Sequence, residues 1–267
     1  MRILIVLTSF FLLFSCQKKA EKETAKFDIF LIGGQSNTQN GFGIDSSIDK
    51  VSNGVLQLGR HGNNNLKIIE AKDPLEHWDP RVDRNGFGLT FAKLYQNDIL
   101  DKNRKVLLIP CGKGNTGFID QQWNKGNVCF DDAIARVDWV LENYKGSQLK
   151  AILWQQAERD ILLNNLNYKT DLDQFVSDVF QSFPNQNFYF LAGGMVPYWV
   201  NLNPRRIAFQ NIIKTLPDRH SKTEFIDSEI PFIISKMYNN FDTVHYNAFG
   251  QREMGKRYFS IYKKLAE

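Results

Sequence analysis

Ser36 lies in the turn Gly33-Gly34-Gln35-Ser36-Asn37, and His245 closes the segment Asp242-Thr243-Val244-His245 near the other end of the chain. Hydrolysis of an ester by serine needs a base for the hydroxyl proton, a partner that holds the base's tautomer, and N–H donors for the oxyanion. His245 is a candidate base, and Asp242 is close enough in a turn to orient it. The Gly-rich turn Gly112-Lys113-Gly114-Asn115-Thr116 offers the Gly114 N–H, beside the Ser36 N–H and the Gln156 carboxamide; one such donor is worth about 2.7–4 kcal/mol in the transition state. Each feature alone has a plainer reading. Serines cap helices, glycine pairs make turns, and Asp-x-x-His often precedes a helix.

These residues sit between regular elements. Five short apolar runs, Phe27 to Ile32, Val106 to Ile109, Ala151 to Trp154, Phe188 to Ala192 and Glu224 to Ile226, read as buried strands. Helical periodicity recurs at Leu89 to Tyr95, Ala133 to Leu141, Leu172 to Phe180, Ile207 to Leu216 and Phe249 to Leu265, the last with Gly250 and Gly255 as weak points. Strands separated by helices pair in parallel, which predicts an α/β fold: a three-layer α/β/α sandwich with a parallel sheet of about five strands. Such sheets bind ligands beyond the carboxyl ends of their strands. The turns after the first three strands and the segment before the last helix would share that edge. The stretch from Gly34 to Asn85, rich in Gly, Asn, Asp and Pro, reads as a long loop around the mouth of the sheet.

Gly34-Gln35-Ser36-Asn37, Gly112-x-Gly-Asn-Thr, Trp154-Gln155-Gln156-Ala157-Glu158-Arg159-Asp160 and Asp242-x-x-His245 together resemble the successive blocks of the SGNH (GDSL-like) hydrolase superfamily, and within it the sialate O-acetylesterase and acetylxylan esterase branch. The likeness runs from about Phe27 to Tyr258. It implies a flavodoxin-like fold, with Ser36 as nucleophile, His245 as base, Asp242 as its orienting carboxylate, and Ser36, Gly114 and Gln156 as the oxyanion hole. It also implies an acyl-enzyme that releases acetate from a carbohydrate ester without metal or cofactor. Gln35, Asn37, Asn115, Glu158, Asp160 and Tyr198 are candidates for supporting the site or touching substrate. Two positions depart from the family pattern: Ala157 replaces a glycine, as does Asn115. An alanine at positive φ would cost about 1–2 kcal/mol, whereas Asn is well suited to a left-handed position.

The first fifteen residues form a secretory signal, with an apolar run from Ile3 to Phe14 that is too short to span a membrane. Leu13-Phe14-Ser15-Cys16 resembles the bacterial lipobox, implying lipidation of Cys16 and a lipoprotein of the bacterial cell envelope; ordinary secretion with Cys16 free is the alternative. Residues 16–26 read as a solvated tether and 27–267 as one esterase domain. The 267 residues are 43% hydrophobic and 23% charged with a net charge of +4, a globular composition without a nucleic-acid footprint. Cys111 and Cys129 remain in a disulfide-permissive compartment, bridged or simply buried. The scattered histidines His61, His77 and His220, with no CxxC or HExxH motif, give no metal site.

Phe42, Trp78, Trp123, Tyr198, Trp199 and Tyr238 could stack on a sugar, with one or two expected at the pocket. Arg81, Arg84, Arg205 and Arg206 are candidates to read an acidic one. The expected activity is removal of acetyl groups from a sialic acid or xylan-like glycan. A non-catalytic glycan-binding lipoprotein and an esterase or lipase for longer acyl chains are the alternatives.

Overall fold

The computed structural model describes residues 25–234 and 242–267. The signal segment, Cys16, the first part of the tether and Tyr238 lie outside the described residues. The strands in chain order are β1 (Lys26–Gly34), β2 (Gly41–Phe42), β3 (Val55–Leu58), β4 (Ile68–Glu70), β5 (Arg84–Asn85), β6 (Arg104–Pro110), β7 (Gln148–Gln155), β8 (Tyr189–Gly193) and β9 (Thr223–Ile226). Seven form one sheet in the order β4-β3-β6-β1-β7-β8-β9, parallel except for the antiparallel β3–β4 pair. The helices are α1 (Phe87–Asp98), α2 (Val128–Asn143), α3 (Glu158–Leu162), α4 (Tyr168–Ser182), α5 (Pro197–Val200), α6 (Pro204–Lys214) and α7 (Ala248–Ala266).

Strand side chains alternate between faces, so an apolar run in a central strand needs cover on both. On β1, Phe30 packs edge-on against Phe91 and Tyr95 of α1 and Tyr262 of α7. The alternate residues Leu31 and Gly33 border Trp123, Phe130 of α2 and Phe175 of α4. Those two sets of helices are the outer layers of the three-layer sandwich. Gly255 lets α7 approach α1: a Cβ there would come within 2.5 Å of the Phe87 carbonyl oxygen. The predicted weak point is therefore a contact between helices.

The five predicted strands are present, and the sheet has two more. β3 and β4 lie in the stretch read as a long loop. β3 is only four residues long and its apolar pattern is broken by Gln57, so its strand character comes from parallel pairing with β6. Cys111 and Cys129 are buried free thiols, and burial pushes both up to about 12, which keeps them protonated and unreactive.

Candidate active site

The sheet order places β1 between β6 and β7, so the turns that follow these three strands meet at one edge. Gly34 ends β1 at φ +118°, a left-handed conformation that glycine tolerates, and a Cβ there would overlap the Gln155 carbonyl. The Gln35 N–H donates to that carbonyl at 2.9 Å, and the Lys113 N–H donates to the Gly34 carbonyl at 3.0 Å. The serine turn is thus tied to both neighbours. Ser36 opens the one-turn 3₁₀ helix Ser36–Thr38, and no described residue accepts a hydrogen bond from its N–H.

Ser36 Oγ lies 2.8 Å from His245 Nε2, and His245 Nδ1 lies 2.8 Å from Asp242 Oδ2. With Nδ1–H donating to the carboxylate, Nε2 is left to accept the serine proton. Asp242 Oδ1 also accepts the Val244 and His245 N–H groups, each at 3.0 Å. Burial works against ionisation of Asp242, but the His245 ring and these N–H groups outweigh it and hold the carboxyl below its usual range. Asn37, fully buried, braces the histidine from both sides. Its Nδ2 donates to the Val244 carbonyl at 3.0 Å and to Glu158 Oε1 at 2.6 Å, while its Oδ1 accepts the Tyr246 N–H at 3.1 Å.

The triad opens on a cavity of about 730 Å³ whose lining includes Gln35, Asp79, Arg81, Asn115, Glu158 and Leu162. Glu158 is 1% exposed. Burial pushes its carboxyl above the usual range, against hydrogen bonds from its own N–H, Asn37 and the Ala157 N–H and against attraction to His245. Gly114 also lines the cavity, with its N–H donated to Asp79 Oδ2 at 2.6 Å.

The Gln156 carboxamide is not brought to the cavity, contrary to the expected oxyanion role. It is buried, and its Nε2 donates to Asp160 Oδ2 at 2.5 Å. Asp160 is itself structural. It accepts the Phe118 and Ile119 N–H groups and the Asn165 amide, binding the turn after β6 to the turn after β7. The carboxamide that does line the cavity is Gln35, oriented by the Arg159 N–H, which donates to its Oε1 at 3.0 Å.

Both departures from the family pattern fit their positions. Ala157 has φ 172°, an extended backbone that any residue adopts, and Asn115 has φ 59°, the left-handed conformation Asn suits. None of the five described aromatic candidates lines the cavity. Trp123 and Trp199 are in the core, Trp78 lies between Arg60 and Lys113, Phe42 packs under Arg84, and Tyr198 is exposed elsewhere. Of the four arginines considered, Arg81 lines it; Arg159, part of the third motif block but given no role there, and Asp79, which no motif marks, also do. Among the described residues no group of side chains is suited to hold a metal.

A parallel sheet with the serine turn at its centre and a histidine entering ahead of the last helix defines the fold of the SGNH-type esterases. Residues 26–264 match the family model described as carbohydrate esterase, sialic acid-specific acetylesterase, and the chain belongs to that family. The solved structure of NanS is similar, with TM-score 0.79 at 12% identity over 91% of this chain and 98% of that one. The Arabidopsis thaliana protein At4g34215 is similar at TM-score 0.71 and 18% identity, over 89% of this chain and 98% of that one. By sequence, the curated protein of that name, a probable carbohydrate esterase, is 26% identical over 171 residues, 57% of this chain and 62% of its own length. The sequence match thus spans less than two thirds of that relative.

Proposed function

We propose that this carbohydrate esterase removes acetyl groups from a sialic acid or xylan-like glycan by serine acyl transfer. The observation that carries this reading is the hydrogen-bonded run Ser36–His245–Asp242, at 2.8 Å and 2.8 Å, facing a cavity of about 730 Å³ in a chain of this family. Ser36 Oγ attacks the acetyl carbonyl as its proton passes to His245 Nε2. The tetrahedral intermediate collapses, the sugar oxygen leaves with that proton, and acetyl remains on Ser36. Water then attacks with His245 again as base, releasing acetate and restoring the serine. Asp242 holds the imidazole and stabilises its charged form. The N–H groups of Ser36 and Gly114 are the oxyanion donors in this scheme, with the Gln35 carboxamide in place of Gln156. Attachment to a bacterial envelope membrane through a lipidated Cys16 remains part of the proposal, and the mass of the N-terminal peptide from membrane-extracted protein tests it.

Ser36→Ala and His245→Ala are expected to abolish release of p-nitrophenol from its acetate ester at an unchanged melting temperature. Asp242→Asn is expected to lower kcat by about 10³- to 10⁴-fold. Parent-level turnover by either alanine variant would refute the assigned roles. A screen of acetylated sialic acid and acetylated xylan for free acetate identifies the glycan.

A further inference from the structure

Three hydrogen bonds join residues 77–79 to the turn after β6. The Gly112 N–H donates to His77 Nδ1 at 2.9 Å, the Trp78 N–H donates to the Gly112 carbonyl at 3.1 Å, and the Gly114 N–H donates to Asp79 Oδ2 at 2.6 Å. The first two fix the backbone. The third ends on a carboxylate in the cavity wall whose side chain is 37% exposed and whose nearest cation, Arg81 Nη2, is 4.0 Å away. Gly114 permits the approach, since a Cβ there would lie 2.8 Å from Asp79 Oδ2.

The Gly114 N–H is one of the donors the esterase reading requires for the oxyanion. Held by a full negative charge, it is not free for a second anion, and an oxyanion forming beside that carboxylate would be opposed by like charge. We propose that Asp79 is a specificity-determining residue: its carboxylate covers the Gly114 N–H in the free protein and uncovers it when a hydroxyl of the bound sugar draws the carboxylate aside. The proposal rests on the esterase reading above. Rotation of one side chain suffices, because the backbone of both segments is secured by the other two bonds. A sugar carries several O–H donors that can replace the N–H as partners of a carboxylate, and Arg81 on the same wall can receive it as it turns. A small ester without hydroxyls offers Asp79 no new partner and meets a covered donor.

The test compares the full-length parent, Asp79→Ala and Asp79→Asn on p-nitrophenyl acetate, which carries no hydroxyl, and on whichever of acetylated sialic acid or acetylated xylan the parent hydrolyses faster. Removing a charged hydrogen-bond acceptor should raise kcat/KM on p-nitrophenyl acetate by about tenfold in Asp79→Ala, and by less in Asp79→Asn, which keeps an acceptor without charge. Activity on the sugar ester should fall, so that the sugar-to-small-ester ratio drops more than about tenfold in Asp79→Ala. A ratio that stays constant, or equal losses on both esters, would overturn the proposal, as expected of a carboxylate that only braces the turn. Ser36→Ala assayed alongside separates the two levels of inference: if it retains the parent rate, the acyl-transfer chemistry itself fails.

Discussion

The position of His245 is set by a carboxamide more than by the histidine's own packing. Asn37 holds the carbonyl before His245 and the N–H after it, and its remaining amide hydrogen goes to Glu158. This makes Glu158 the anchor of the brace. In Glu158→Gln the Asn37 hydrogen bond can persist, because the carboxamide oxygen replaces the carboxylate acceptor, whereas Glu158→Ala removes it. Glu158→Ala is expected to lower kcat/KM on p-nitrophenyl acetate by about tenfold and Glu158→Gln by less. Equal rates for the parent and Glu158→Ala would show that His245 holds its place without this anchor. Ser36, His245, Asp242 and Asn37, which the structure joins by hydrogen bonds, were singled out in the sequence by residue type and motif order. Gln156 was misread for a physical reason: a carboxamide has the right chemistry in either place, and only the location of Asp160 decides which way it donates.

At the scale of elements, the site depends on three parallel strands ending together and on one helix delivering the histidine. α7 begins two residues after Tyr246, whose hydroxyl donates to the Gly194 carbonyl at 2.7 Å, and Tyr258 within it donates to the Trp154 carbonyl at 2.6 Å. Its close approach to α1 at Gly255 leaves no room for a larger residue. Gly255→Val is expected to force the two helices apart at a cost of about 1–3 kcal/mol and lower the melting temperature by several degrees, as thermal unfolding would show. An unchanged melting temperature would mean that the interface absorbs the added bulk. The five longer helices were readable from their apolar period, and five strands from their hydrophobic runs, whereas the short α3 and α5 carry no such period. β3 and β4 were not, because they lie in a polar, Gly- and Asn-rich stretch, β3 is interrupted by Gln57, and each takes its form from the neighbour it pairs with.

For the whole molecule, His77 links the site's scaffold to acid stability. It is fully buried, and burial together with the Arg60 charge lowers it to about 3. It accepts the Gly112 N–H through Nδ1, so the folded protein keeps it neutral. Unfolded, a histidine titrates near 6.5. Between about pH 6.5 and 3 the unfolded chain therefore binds a proton that the folded chain refuses, and stability falls as pH falls, by at most about 1.4 kcal/mol per pH unit. Denaturant titrations of parent and His77→Gln across that window should show a shallower slope in the variant; equal slopes would place the acid sensitivity elsewhere.

Residue order alone determined the layered α/β class and the family resemblance, and singled out the serine, histidine and aspartate that meet in the fold, since periodicity and motif succession are local properties of a chain. Tertiary structure decided that Ala157 is unstrained, that Gln35 and not Gln156 lines the cavity, that the five described aromatic candidates stay away from it, and that Asp79 rests on the Gly114 N–H. Those outcomes depend on contacts between residues far apart in the chain. Their energies are set by which buried donors and acceptors meet in the folded protein.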